Sequence, residues 1–65
     1  MLRRGTVIFF SASKGYGYAQ SGGMDVYFHA AAVENGANLS KGQHIEFELR
    51  RLLSRPEAKR VRVIK

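Results

Sequence analysis

Lys14-Gly15-Tyr16-Gly17-Tyr18 and Asp25-Val26-Tyr27-Phe28-His29 are two short aromatic runs, separated by the turn-like Gln20-Ser21-Gly22-Gly23-Met24. Read as strands, their period of two places Tyr16, Tyr18, Tyr27 and His29 on one face and Val26 and Phe28 on the other. A single exposed tyrosine is ordinary, but several in register beside Lys14 make a poor core and a good stacking platform. Gly15 and Gly17 suit such a surface, because a backbone without side chains lets a ligand approach closely between the rings. The face points to single-stranded nucleic acid, whose bases are free to stack.

The flanking segments extend this pair into a sheet. Arg3–Phe10 is β-branched and aromatic and closes with the turn chemistry of Ser11-Ala12-Ser13-Lys14-Gly15, so it reads as a first strand. Its register stays open: Val7 inward carries Phe9 inward and Ile8 and Phe10 outward, unless a bulge between Ile8 and Phe10 changes the phase. Tyr16–Gln20 and Asp25–His29 are the second and third strands, with Gly22-Gly23 able to take the positive φ of a hairpin turn. Ala30–Val33 can form one helical turn before Asn35-Gly36 interrupts it. His44–Leu52 alternates Ile45, Phe47 and Leu49 against Glu46, Glu48 and Arg50, a fourth strand. After a turn at Ser54-Arg55-Pro56, Ala58–Ile64 alternates Val61 and Val63 with Arg60 and Arg62, a fifth.

Five short strands with one longer connection between the third and fourth predict an all-β fold, a small antiparallel Greek-key barrel, as one domain over residues 1–65. The expected core is Val7, Ala19, Val26, Phe28, Val33, Leu39, Ile45, Phe47, Leu49 and Val61, with Val63 at its end.

A chain of 65 residues without cysteine has no disulfide or thiolate metal site to reinforce a thin core, and a reducing, cytoplasmic setting is the expectation. His29 and His44 have no partner at ligand spacing, so neither a metal nor a cofactor is expected. No apolar run reaches the length of a membrane span. No nucleophile, base and orienting group recur at usable spacing, which predicts no enzymatic activity and no small-molecule substrate.

The formal net charge is +6, and it is unevenly spread. Over residues 1–48, Arg3, Arg4, Lys14 and Lys41 are balanced by Asp25, Glu34, Glu46 and Glu48; beyond them Arg50, Arg51, Arg55, Lys59, Arg60, Arg62 and Lys65 face Glu57 alone. A basic end of this kind is solvated charge that keeps a small β protein soluble, a phosphate-binding surface, or both. Arg60 and Arg62, on one side of the fifth strand, are the candidates for phosphate contact.

Gly5-Thr6-Val7, the aromatic pair Phe9-Phe10, the two aromatic runs, Lys41-Gly42-Gln43 and the Phe47-containing strand together resemble the cold-shock domain family along nearly the whole chain. The resemblance implies a five-stranded oligonucleotide-binding barrel (OB-fold) that binds single-stranded RNA and DNA, as an RNA chaperone of the bacterial cytoplasm. Carried over by position, it implies base or phosphate contacts from Phe9, Phe10, Lys14, Tyr16, Tyr18, Tyr27 and His29, and makes Asp25 a base-edge acceptor. Several positions depart from the family's pattern. Phe9 stands for the usual Trp, Ile8 for Lys, Ser11 for Asn and Ala30 for a stacking Phe, while Asn35 to Asn38 lacks its aromatic. The platform is therefore smaller, and the basic end is expected to compensate by adding phosphate contacts.

Other readings stand beside these. Asp25 reads equally as a turn-capping residue, and His44 reads as structural. A small structural or interaction barrel, ribosome-associated or SH3-like, would use the same aromatic face to bind protein. A monomer is expected, with a dimer left open.

Overall fold

The computed structural model describes residues 2–36, 38–52 and 55–64, with β1 at Leu2–Ser11, β2 at Tyr16–Ser21, β3 at Met24–His29, β4 at His44–Leu52 and β5 at Arg55–Val63. The strands close into a barrel in the order β1-β2-β3-β5-β4, antiparallel except where β3 meets β5. The five-stranded barrel expected from the sequence is the one found. The hairpin between β2 and β3 turns at Gly22 and Gly23, whose φ values of +56° and +81° lie in the left-handed region that glycine enters without strain. A 3₁₀ turn at Ala30–Ala32 and a second at Glu34–Gly36 lead out of β3, with Asn35 at φ +61° where the helical reading was expected to break. Of the turn expected at Ser54-Arg55-Pro56, Ser54 falls outside the described residues, while Arg55 and Pro56 already belong to β5.

Two bulges resolve what simple alternation could not. In β1 the pairing with β2 shifts between Val7 and Phe9, so Val7 opposes Ala19 while Phe9 opposes Tyr18 and Phe10 opposes Gly17. Ile8 absorbs the extra residue, Val7 stays inside and Phe9 turns out. In β5 the pairing with β4 shifts as well: Glu46 faces Arg62, but Glu48 faces Lys59, leaving Arg60 and Val61 opposite Phe47. The bulge puts Ala58 and Val61, three apart, both fully inside, and it sets Arg60 at φ +52°. A left-handed conformation costs a side-chain-bearing residue about 1–2 kcal/mol. Strand five also begins at Arg55 rather than Ala58, because Pro56 near a strand start forfeits little ladder bonding.

The buried core is Val7, Ala19, Val26, Phe28, Val33, Leu39, Ile45, Phe47, Ala58 and Val61, with Phe10, Met24, Leu49 and Val63 packed partly against it. Ala58 was not expected there, since a lone alanine among charged neighbours carries no signal without the bulge. Leu49 and Val63 are at the margin of the core rather than inside it.

Gly17 organises the inner face. It lies between Phe10 on β1 and Phe28 on β3, and a Cβ there would stand 2.6 Å from the Phe9 carbonyl oxygen and 2.7 Å from Phe28 Cζ. The space is filled from below by two near-parallel phenylalanine rings with centroids 6.0 Å apart. The expectation that Gly17 opens the backbone to a ligand is thus corrected: its missing side chain serves the core. Gly17→Ala should lower stability by about 1–3 kcal/mol or more through overpacking, read as a reduced urea midpoint.

Candidate nucleic-acid interface

The same register that turns Phe10 and Phe28 inward turns the other rings outward. Ser11, Tyr16 and His29 are aligned across β1, β2 and β3 in one row, Phe9, Tyr18 and Tyr27 in the next, and Thr6, Gln20 and Asp25 in a third. The first two rows hold the aromatic cluster: Phe9 and Tyr16 centroids are 5.5 Å apart, Tyr16 and Tyr27 6.2 Å, and Tyr18 and Tyr27 5.8 Å. Such tilted and offset contacts hold rings in place while leaving faces and edges exposed. Phe9 is 43% exposed, unusual for a phenylalanine in so small a protein.

Of the residues expected to bind, the structure brings together Phe9, Tyr16, Tyr18, Tyr27 and His29, and places Asp25 one row beyond on the same face. Lys14 lies in the turn leading into β2; its backbone N–H donates to Ser11 Oγ at 3.3 Å and its side chain is exposed. Gly15 follows with its N–H donated to the Ser11 carbonyl, and its own carbonyl accepts from Ala30 N–H, tying this turn to the end of β3. His29 is fixed in turn: its Nδ1 accepts the Ala31 N–H at 3.0 Å, which leaves Nε2–H as the donor of the neutral ring.

Three residues sit differently from the expectation. Phe10 does not join the outer rings; it stacks on Phe28 from inside, a consequence of the β1 bulge. Arg62 is held by Glu46, to which its Nε donates at 2.8 Å and its terminal nitrogen donates as well, while Arg4 stands 4.0 Å from the other carboxylate oxygen. The hydrogen bond and charge of Glu46 raise the Arg62 pKa above its ordinary value. Arg60 sits on the β5 bulge, apart from that cluster.

Arg55, expected in the turn before the fifth strand, lies at the start of β5, and its guanidinium carbon is 5.2 Å from the centroid of Tyr27. The parallel pairing of Tyr27 with Glu57 brings the start of β5 beside β3. No spacing along the chain could have shown this contact, because it depends on how the barrel closes.

A closed five-stranded barrel with outward rings on three neighbouring strands is an arrangement that oligonucleotide-binding barrels use. Residues 3–64 match the family described as the 'Cold-shock' DNA-binding domain. A cold shock-like protein of Listeria monocytogenes is 36% identical over 63 residues, covering 92% of this chain and 96% of that one. A cold shock-like protein of Aquifex aeolicus is 40% identical over 65 residues, covering 94% and 93%. Among solved structures, a Drosophila chain described as Unr CSD456 superposes with a TM-score of 0.84 at 19% identity, over all of this chain and 27% of that longer one. The chain belongs to the cold-shock domain family, whose members bind nucleic acids.

The two phenylalanines of β1 should separate cleanly in a stability assay. Phe9→Ala is expected to change the urea-derived stability by no more than about 0.5 kcal/mol, as for other exposed positions. Phe10→Ala should cost about 3 kcal/mol, because it empties the space against Phe28.

Proposed function

We propose that the chain binds single-stranded RNA or DNA by stacking bases on Phe9, Tyr16, Tyr18 and Tyr27, and that it acts as an RNA chaperone in the cytoplasm. The observation that carries this is the set of outward rings in two cross-strand rows, on a face whose opposite side is fully occupied by the core. His29 closes the platform with a hydrogen-bond donor. Lys14 supplies phosphate contact beside Tyr16, and Asp25 accepts from base amino groups at the other edge. Arg55, a planar cation over Tyr27, offers a second surface against which a base can lie.

Each tyrosine keeps a stacking ring and adds a hydroxyl that needs water or a partner, so the platform is wetter than one of phenylalanines. Of the arginines of the last strand, Arg62 is engaged by Glu46 and must leave it to reach a phosphate. Nothing in this mechanism makes or breaks a covalent bond, and the reading is of a binding module, not an enzyme.

Fluorescence anisotropy with oligonucleotides and a duplex control tests the proposal directly. Single strands should bind and a duplex of equal length should bind far more weakly at moderate salt, since pairing hides the base faces. Tyr18→Ala and Tyr27→Ala should each cost about 1–3 kcal/mol of binding, roughly five- to 150-fold, while leaving the fold largely intact. Equal affinity for the duplex would sink the stacking mechanism, and so would full binding by both tyrosine variants.

A further inference from the structure

The surface does not stop at the last ring of the platform. His29, aligned with Tyr16 in the outer row, also lines an open hollow of about 630 Å³ shared by the first 3₁₀ turn and the outer faces of β4 and β5. Ala31 and Ala32 contribute no ring to it, and Lys59 and Arg60 bring cations. Its volume lies within the range of about 300–1,000 Å³ that small ligands occupy.

The charges in this hollow are of two kinds. Glu48 stands directly across the ladder from Lys59, and Arg50 from Glu57, so each acid has a base opposite it. Arg60 has no such counterpart. It is the extra residue of the bulge, opposite Phe47 and not an acid, and like Lys59 and Arg50 it appears in none of the ion pairs within 4.0 Å among the described residues. Glu34 is the remaining acid of the lining, which keeps the hollow from being a general sink for anions. At φ +52°, position 60 would suit Gly or Asn better than Arg. A charged side chain held in a disfavoured conformation, with no partner in the ladder and beside the platform's end, points to a role outside the fold.

We propose that Arg60 holds a phosphate of the bound strand where it runs past His29 into this hollow, lengthening the site by a nucleotide or more that is gripped by charge instead of stacked. The proposal rests on the single-strand reading above. His29 marks the junction: its Nδ1 is occupied by Ala31 N–H, which leaves Nε2–H as the ring's free donor.

The test compares Arg60→Asn and Arg60→Lys with the unaltered protein. The ligands are an oligonucleotide of about four residues, near the lower limit for such barrels, and the same sequence lengthened at either end. The unaltered protein should gain affinity from one of the two extensions. Arg60→Asn should bind the short strand as before, lose that gain, and show a salt slope on the long strand flatter by about 0.7, the value for one phosphate. Arg60→Lys should keep the gain. The unfolding midpoint of Arg60→Asn should equal or exceed that of the unaltered protein, because Asn tolerates the left-handed conformation; this separates lost binding from lost fold. The proposal is overturned if neither extension tightens binding, or if Arg60→Asn retains the full gain and slope. Failure of the short strand to bind the unaltered protein would instead refute the stacking platform.

Discussion

The structure depends on a space left empty on one strand and filled from its two neighbours. Gly17 presents no side chain to the interior, and the rings of Phe10 and Phe28 meet beneath it. This contact fixes the relative register of β1, β2 and β3, since slipping any one strand by a residue would drive a side chain into the backbone or send a phenylalanine into water. Period-two alternation does the rest. Once Phe10, Gly17 and Phe28 are inside, Phe9, Tyr16, Tyr18 and Tyr27 are outside, with no separate interaction needed to place them. The binding face is the reverse side of the packing solution.

Barrel closure adds the second constraint. The parallel contact of Tyr27 with Glu57 brings the basic end of the chain against the aromatic face, and the antiparallel β4–β5 ladder sorts its charges. Three opposite-charge pairs face each other across that ladder: Glu46 with Arg62, Glu48 with Lys59, and Glu57 with Arg50. Exposed pairs of this kind contribute little to stability individually, but like charges in the same places would oppose the register. Three of the seven basic residues from position 50 onward therefore face an acid across the ladder. What remains unpartnered is a smaller and more specific set.

The strands, the ring-bearing face and most of the core were legible in the sequence because each follows from a local period. Tyr16, Tyr18, Tyr27 and His29 needed only two adjacent strands and a glycine turn. The departures all sit where local periodicity is interrupted or where contact spans the barrel. Phe9 and Phe10 exchange faces because Ile8 is a bulge, and a bulge leaves no mark in a β-branched run. Ala58 enters the core, and Arg60 leaves the alternation, for the same reason in β5. Arg55 reaches Tyr27, and Glu46 engages Arg62, only through pairings between distant segments. Gly17 was legible as a special position, but its purpose was not, because nothing in one dimension says which neighbour needs the room.

Arg60 and Arg62 show how far residue type falls short of residue role. They are two positions apart, equally charged and both exposed, and strict alternation would give them one task. The bulge separates them. Arg62 stays in the ladder, opposite a carboxylate that takes two of its donors, and removing Glu46 would leave it without that partner. Arg60 is the residue the ladder skips, and its strained backbone weakens the fold that Arg62 supports. Where this chain lacks the ring that its family carries at position 30, a neighbouring strand carries the Arg60 guanidinium, which forms no ion pair among the described residues. A stacking contact is short-ranged and indifferent to salt, while a phosphate contact is long-ranged and screened. With Arg60 gripping a phosphate as proposed, exchanging one for the other would make the length of strand held a function of ionic strength, which a wholly aromatic platform would not do.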